Sequence, residues 1–89
     1  MKSQANARFW DLFRQLRPEV QDQTREAHRI FAVNPRHPSL QFKRVGQSRP
    51  IYSVRISRDY RAVGILQGDG IIWFWIGNHQ DYDRLLAGH

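Results

Sequence analysis

The sequence predicts an α+β fold in which two N-terminal antiparallel helices pack on a small antiparallel β-sheet, with a short C-terminal helix. Three observations support this prediction. Apolar residues recur with a period of 3.6 in the first third of the chain, and with a period of 2 from Leu40 onward. The length of 89 residues suffices for one hydrophobic core and is too short for two domains. We therefore expect a single domain over residues 1–89.

Two helices are expected before residue 35. The first runs from about Ala7 to Leu16, and its apolar side chains fall at positions i, i+3, i+4 and i+7: Phe9, Leu12, Phe13 and Leu16. Pro18 suits the first turn of the second helix, where its missing N–H needs no partner. That helix ends before Asn34-Pro35, and its buried face is expected at Val20, Thr24, Ala27 and Phe31. The segment Ala5-Asn6-Ala7 is too polar for an apolar opening strand, so none is expected there.

Four strands are expected after the helices. They are Leu40–Phe42, Tyr52–Ile56, Tyr60–Gln67 and Ile71–Gly77. A tight bend at residues 57–59 joins the second strand to the third, and the segment Gln67-Gly68-Asp69-Gly70 supplies the positive φ angles for the next hairpin. These two turns make consecutive strands antiparallel neighbours.

The last predicted strand is the most apolar segment of the chain. It carries no polar side chain, which is typical of a strand covered on both faces. Strict alternation would place Trp73 and Trp75 on one side of it, and Ile72, Phe74 and Ile76 on the other. Asn78 is then expected to cap the C-terminal helix through its side-chain oxygen.

Positive charge is concentrated in the middle of the chain. The formal net charge is +6, and the segment from His28 to Arg61 alone carries eight basic residues and one acid. Twelve of the fourteen cations are arginines, whose planar guanidinium binds a phosphate through two parallel hydrogen bonds. This pattern favours contact with a polyanion such as nucleic acid or an acidic protein segment, unless most of these side chains are simply solvated.

Arg55 and Arg61 are candidates for a shared phosphate site. They lie on one face of the sheet if the bend between them pairs Ile56 with Tyr60, and on opposite faces if the bend is even-numbered. Two guanidinium groups on one face can stabilise the charge that builds on phosphorus during cleavage. The alternative is that one of them pairs with Asp59 or with a helix acid. Further basic residues are candidates for extending the path along a nucleic-acid backbone: Lys43, Arg44, Arg49 and Arg58.

His79 and Tyr82 form a second candidate pair, because positions i and i+3 are neighbours on a helix. An imidazole exchanges protons near neutral pH and can accept one from an RNA 2′-hydroxyl, while a phenol can orient or protonate an oxygen. The alternative is that Tyr82 packs under the sheet and His79 only caps the helix. The aromatic side chains offer stacking surfaces for bases, but a domain this small needs them for its core.

Several classes of site are excluded or disfavoured by composition. The chain has no cysteine, so a disulfide, a thiolate nucleophile and sulfur-bound zinc are excluded. The four histidines show no metal-ligand spacing, and we expect neither a metal nor a small-molecule cofactor. No apolar run approaches the roughly 20 residues of a membrane span. The polar amino end has no signal-peptide pattern, and a cytoplasmic protein is expected.

Four segments of the chain together resemble the RelE/ParE superfamily of bacterial toxins. They are Phe42-Lys43-Arg44-Val45, Tyr52-Ser53-Val54-Arg55-Ile56, Asp59-Tyr60-Arg61-Ala62-Val63 and Trp75-Ile76-Gly77-Asn78-His79, the last followed by Tyr82. The resemblance covers nearly the whole chain. It implies a toxin of a type II toxin-antitoxin pair, with a cognate antitoxin as partner.

In the RNA-cleaving branch, the resemblance implies a metal-independent endoribonuclease that cuts mRNA on the ribosome and represses translation. By position, Arg61 matches the arginine that holds the scissile phosphate, Arg55 matches a basic residue one strand earlier, and His79 and Tyr82 match residues near the carboxyl end. Ser53 stands where the best-known branch has a second lysine. The alternatives are a ParE-type toxin that inhibits DNA gyrase without cutting RNA, and an inactive member that only binds a partner.

Overall fold

The structure, a computed structural model, describes residues 1–88. Helices α1 (Ala7–Arg14), α2 (Pro18–Val33) and α3 (His79–Ala87) surround one five-stranded sheet. Its strands are β1 (Lys2–Ala5), β2 (Lys43–Arg44), β3 (Ile51–Arg55), β4 (Tyr60–Gln67) and β5 (Gly70–Asn78). This is the α+β arrangement that the sequence predicts, including the two N-terminal helices and the short C-terminal helix.

The strands lie in the order β1-β5-β4-β3-β2. Neighbouring strands from β2 to β5 are antiparallel, and β1 runs parallel to β5 at one edge. The β4–β5 hairpin turns at Gly68, whose φ of +62° lies in the left-handed region that glycine enters without strain. The long β4 and β5 form the centre of the sheet and carry residues toward both of its faces.

The strand β1 was not expected from the sequence. Lys2–Ala5 has no apolar pattern, but it lies beside β5, and the indole N–H of Trp73 donates a hydrogen bond to the Ser3 hydroxyl at 2.7 Å. Backbone pairing satisfies the polar groups on the free side of β5 and does not depend on apolar side chains. The expectation that this polar segment forms no strand is therefore wrong.

The segment before β2 also departs from prediction. Leu40 belongs to a 3₁₀ turn over Pro38–Leu40, and Gln41 has a φ of 46°, so the strand begins only at Lys43. Leu40 is nevertheless 1% exposed, because the turn directs it into the core. The apolar character of Leu40 therefore predicted its burial correctly, but it did not predict the backbone conformation.

Two apolar clusters lie on opposite faces of the sheet. On the face covered by α1 and α2, called the α1–α2 face, the cluster includes Phe9, Phe13, Ala27, Phe31, Val54, Ala62, Ile71, Trp73 and Ile76. On the face covered by α3, called the α3 face, it consists of Ile51, Val63, Trp75 and Tyr82 with partly buried neighbours. The expected buried face of α2 is confirmed, since its four buried residues are Val20, Thr24, Ala27 and Phe31.

Trp73 and Trp75 lie on opposite faces of β5, contrary to the alternation expected. Val63 pairs with Trp75 and Gly64 pairs with Trp73, which leaves Phe74 as an extra residue in a β-bulge. A Cβ atom at Gly64 would lie 2.8 Å from the Trp73 ring, so only glycine allows this close approach. The bulge reverses the alternation once, and each tryptophan enters a different cluster.

Candidate functional site

Arg55 and Arg61 face each other across the β3–β4 ladder. They are directly paired in the antiparallel register, and the Ile56 amide donates to the Tyr60 carbonyl at 3.0 Å. The bend is therefore odd-numbered, and the two side chains start from the same face of the sheet. By the same register, Ser53 and Val63 lie on this face, which is the α3 face. We call Arg55 and Arg61 the arginine pair.

The turn between the two strands anchors the guanidinium of Arg61. Its Nη1 donates to the carbonyl oxygens of Ser57 at 2.7 Å, Tyr60 at 3.0 Å and Arg58 at 3.3 Å. Within the described residues, its Nε and Nη2 have no hydrogen-bond acceptor. A guanidinium has five N–H donors, so one nitrogen fixes the plane while the other two remain free for an oxyanion. Arg61 is thus oriented before any ligand binds.

His79 begins α3 beside the same turn. Its backbone N–H donates to the Asp59 carbonyl at 2.8 Å, and the preceding residue, Asn78, caps the helix by accepting from the Asp81 amide at 2.8 Å. The imidazole is half-exposed, with its ring centroid 5.6 Å from that of Tyr82 and its Nδ1 3.3 Å from a carboxylate oxygen of Asp83. Arg61 of β4 is paired with Gly77 of β5, and His79 follows Gly77 two residues later in the chain.

Tyr82 holds α3 against the sheet. It is the only buried residue of this helix in the part of the chain that the structure describes. Its hydroxyl donates to the Ser53 hydroxyl at 2.9 Å, and Ser53 is itself 2% exposed. This buried hydrogen bond occupies the phenol, so the side chain has little access to a ligand in this conformation.

The other predicted basic residues are separated by the fold. Lys43 pairs with Ser53 and therefore starts from the α3 face, whereas Arg44 pairs with Tyr52 and starts from the opposite face. Arg44 also donates to the Gly46 carbonyl at 3.0 Å, which holds the following loop. Arg49 and Arg58 are exposed in loops at the two ends of β3. The structure thus places Lys43 on the face of the arginine pair and Arg44 on the other.

Ion pairs neutralise most of the arginines on the helices. Most of the cations between His28 and Arg61 form no ion pair with a carboxylate among the described residues. Seven of the eight acidic residues have a basic partner, and the lysines and arginines among these partners are Lys2, Arg14, Arg17, Arg25, Arg29 and Arg84. On α2, the hydrogen bonds from Arg29 lower the pKa of Glu26. Among the described residues, the cations without a carboxylate partner include Arg36, Lys43, Arg44, Arg49, Arg55, Arg58 and Arg61. The excess positive charge is therefore available to a polyanion.

An open cleft of about 800 Å³ lies on the α1–α2 face. Its aromatic lining is Phe9, Trp10, Phe13, Phe31 and Trp73, and it also touches Arg25 and His28. Trp10 remains 45% exposed beside the cleft. These aromatic residues were expected in the core, and the cleft was not predictable, because helix periodicity does not show how far a helix stands from the sheet.

Two further features of residues 1–88 bear on the kind of site. No group of three or more potential metal-ligating side chains comes together in this range. No helix in the same range is both long enough and apolar enough to cross a membrane. Asp83 was not among the predicted site residues, although its i+4 spacing from His79 is sufficient to suggest the contact.

Solved toxin structures share this fold. A copper-bound mutant toxin from Helicobacter pylori is 20% identical, with 91% of this chain and 97% of that one covered and a TM-score of 0.62. A YoeB/ParE toxin from Agrobacterium tumefaciens is 15% identical, with 89% and 99% covered and a TM-score of 0.69. YafQ from E. coli is 8% identical, with 91% and 96% covered and a TM-score of 0.72. At these identities the likeness establishes the fold alone.

The family follows from a match to the sequence itself. The family model of the ParE-like toxin domain matches residues 18–84, which is most of the chain. The chain therefore belongs to the ParE-like toxin family, within the RelE/ParE superfamily that the sequence segments resemble. Membership makes it a toxin of a toxin-antitoxin system and implies a cognate antitoxin as its partner. No curated protein matches the sequence.

Proposed function

We propose that this toxin is a ribosome-dependent mRNA endoribonuclease that represses translation without a metal ion. The observation that supports the proposal best is the arginine pair on the α3 face, with one guanidinium already oriented and an imidazole at the start of α3 beside the same turn. This combination offers two cations for a phosphate and one imidazole that can accept a proton.

The proposed reaction is an intramolecular transesterification of RNA. The ribose 2′-oxygen attacks the adjacent phosphorus, the bond from phosphorus to the 5′-oxygen breaks, and a 2′,3′-cyclic phosphate forms. The 2′-hydroxyl proton passes to the imidazole of His79, and the departing 5′-oxygen takes a proton from solvent. No electron transfer is involved, and no co-reactant other than water is needed.

The proposal gives each residue a separate role. Arg61 binds the scissile phosphate through its free Nε and Nη2, and Arg55 adds a second positive charge opposite it. His79 takes the proton, whereas Tyr82, with its buried and hydrogen-bonded hydroxyl, holds α3 in place. Lys43, Arg49 and Arg58 contact the RNA backbone at other phosphates. The side chain of Arg44 holds its own loop, so we give it no part in cleavage.

Inhibition of DNA gyrase is a second candidate function. It is favoured by the match to the ParE-like family, and by Ser53, which stands where the RNA-cleaving branch has a second lysine. In that function the cationic α3 face binds the target protein and no RNA is cut. An inactive, binding-only member would use the same face for an acidic partner.

The proposal extends to the whole chain and to its place in the cell. We propose that residues 1–89 act as one toxin domain in the cytoplasm, where ribosome-held mRNA is its target. The cognate antitoxin keeps the toxin silent until it is removed. A neighbouring reading frame that encodes a short antitoxin is the expected genetic context.

Induction of the chain in bacteria separates these functions. The nuclease proposal predicts growth arrest with cut mRNA and no DNA damage response, and it predicts that Arg61→Ala relieves the arrest. The matched control is Arg14→Ala, which removes the same charge from an exposed ion pair with Asp11 on α1. A DNA damage response with intact mRNA would support the gyrase function instead. Unimpaired growth would support the binding-only alternative.

A further inference from the structure

We infer that Asp83 positions the His79 imidazole for proton transfer. This inference rests on the proposed function, in which His79 accepts the 2′-hydroxyl proton. The Nδ1 atom of His79 lies 3.3 Å from a carboxylate oxygen of Asp83, four residues further along α3. Residues at i and i+4 are neighbours on a helix surface, so the two side chains meet without any distortion of the backbone.

Three contacts place the imidazole at the start of α3. The first is the backbone hydrogen bond from His79 to the Asp59 carbonyl, which fixes the start of α3. The second is the edge-to-face contact with Tyr82, whose own position is fixed by the buried hydrogen bond to Ser53. The third is the carboxylate of Asp83 beside Nδ1. Together they determine where the ring lies and which nitrogen meets the acid.

The carboxylate also selects a tautomer. An ionised carboxylate only accepts hydrogen bonds, so the nitrogen that faces it carries the proton in the neutral ring. With Nδ1 protonated, Nε2 has the free lone pair, and Nε2 has no partner among the described residues. Asp83 would then stabilise the imidazolium that forms when Nε2 takes the 2′-hydroxyl proton. The carboxylate acts through His79 and does not touch the RNA.

Residues of α3, of the preceding turn and of β4 lie around His79. On α3 they are Tyr82 and Asp83, the preceding turn contributes Asp59 through its carbonyl, and Arg61 of β4 is paired with Gly77, two residues before His79. Among the described residues, Asp83 has the one carboxylate within 4 Å of a His79 ring nitrogen, since Asp59 contacts His79 through its backbone carbonyl.

The test compares two carboxylates of the same helix. Asp83→Asn removes the negative charge at His79 and keeps the side-chain volume, and Asp83→Ala also removes the side-chain oxygen beside Nδ1. Asp81→Asn is the matched control, because Asp81 pairs with Arg84 and only its backbone amide joins the helix cap. Each full-length variant is mixed with ribosomes programmed with a defined mRNA, and single-turnover cleavage and binding are measured separately.

We expect the two Asp83 variants to cleave more slowly than wild type without binding the programmed ribosome more weakly. Asp83→Ala slows cleavage by about 10- to 100-fold and Asp83→Asn slows it less, as is typical when a residue that orients a catalytic histidine is lost. Both variants bind the programmed ribosome at least as tightly as wild type, since one repulsive charge is gone. Asp81→Asn gives the same gain in binding and cleaves at the wild-type rate. Equal cleavage rates for Asp83→Asn and Asp81→Asn would overturn the inference.

A second measurement does not depend on cleavage. In the free toxin labelled with ¹⁵N, the imidazole shifts of His79 report which nitrogen is protonated. We expect the Nδ1-protonated tautomer in wild type and in Asp81→Asn, and a mixture in Asp83→Ala. An Nε2-protonated ring in wild type would overturn the inference. If wild type cuts no RNA on the ribosome, the proposed function fails, and the tautomer alone then decides whether Asp83 orients the ring.

Discussion

The two faces of the sheet differ in whether their arginines form ion pairs with acids. On the α1–α2 face, aromatic rings fill the core, and the exposed helix surface carries arginines that are paired with nearby acids. On the α3 face, a smaller apolar cluster lies beside the arginine pair, which has no carboxylate partner within residues 1–88. The α1–α2 face therefore contributes mainly to stability, and the α3 face carries unpaired arginines that can bind an anionic ligand.

This difference shows that net charge is a poor guide to a binding surface. Exposed ion pairs contribute little to stability, but they cancel the long-range field of the cations that they contain. The helices have fewer cations than the middle segment, and most of the helix cations are paired. What distinguishes the α3 face is that, within residues 1–88, neither arginine of the arginine pair forms a salt bridge with a carboxylate.

Removal of a core ring from the α1–α2 face should give the largest loss of stability. Phe31 is 2% exposed and contacts the rings of Phe42 and Trp73 edge-on. Phe31→Ala should lower the free energy of unfolding by about 3–5 kcal/mol, measured by urea denaturation. Val33→Ala is the control on the same helix, because Val33 is 81% exposed, and it should change the value by less than about 0.5 kcal/mol. Equal effects of the two substitutions would contradict the assigned core.

Removal of the buried hydrogen bond on the α3 face should cost less stability. Tyr82→Phe deletes the donor to Ser53 and should lower the free energy of unfolding by about 1–2 kcal/mol. Because we assign proton transfer to His79, cleavage should stay within a few fold of wild type at a temperature where the variant is folded. Ser53→Ala leaves the phenol unpaired and should destabilise by a similar amount. A folded Tyr82→Phe variant that has lost cleavage entirely would make Tyr82 the proton donor or acceptor.

The helices and the central hairpins were predictable because local sequence determines them, whereas the placement of the arginine pair was left open between an odd and an even bend. The bend at residues 57–59 decides the pairing of Arg55 with Arg61 through its length alone, and periodicity gave the buried face of α2. The strand β1 was not predictable in this way, because its pairing depends on a neighbour some 70 residues away in sequence. The β-bulge at Phe74 was missed for a related reason, since the signal lies in Gly64 on the partner strand.

The candidate site was predictable only as a set of residue types. Sequence spacing named His79 and Tyr82 together, but it did not show that the Tyr82 hydroxyl is buried against Ser53. Nor did it show that Arg61 is held by three carbonyls of its own turn. Both facts depend on side-chain directions at the end of a hairpin, where the local pattern leaves several arrangements open.

The unpaired cations should be visible in the salt dependence of RNA binding. Lys43→Ala and Arg58→Ala should each reduce the slope of log K against log salt concentration by about 0.7 on a single-stranded RNA oligonucleotide. Fluorescence anisotropy over a series of salt concentrations measures this slope. Arg14→Ala, on the other face of the molecule, should leave it unchanged. An equal reduction in all three variants would mean that the RNA does not prefer the α3 face.

The smallest expected effect concerns the paired charges of α2. Hydrogen bonds from Arg29 lower the pKa of Glu26 in the folded state. This contribution to stability is therefore present above the pKa of the unfolded carboxyl, and it is lost as the pH falls through the folded value. Glu26→Gln should make the melting temperature slightly less sensitive to pH on the acid side, measured by circular dichroism. Arg29→Gln should have the same effect, and a steeper acid dependence in either variant would contradict the assignment.

The most direct test of the nuclease account is to map the ends of mRNA fragments from programmed ribosomes treated with the purified toxin. The account predicts one cut in the codon of the ribosomal A site, with a 2′,3′-cyclic phosphate upstream and a 5′-hydroxyl downstream. Arg55→Ala and Arg61→Ala should each lower the cleavage rate by about 10²-fold or more, while Arg14→Ala cleaves normally. Intact mRNA with the wild-type toxin, or equal cleavage by all three variants, would contradict the central claim.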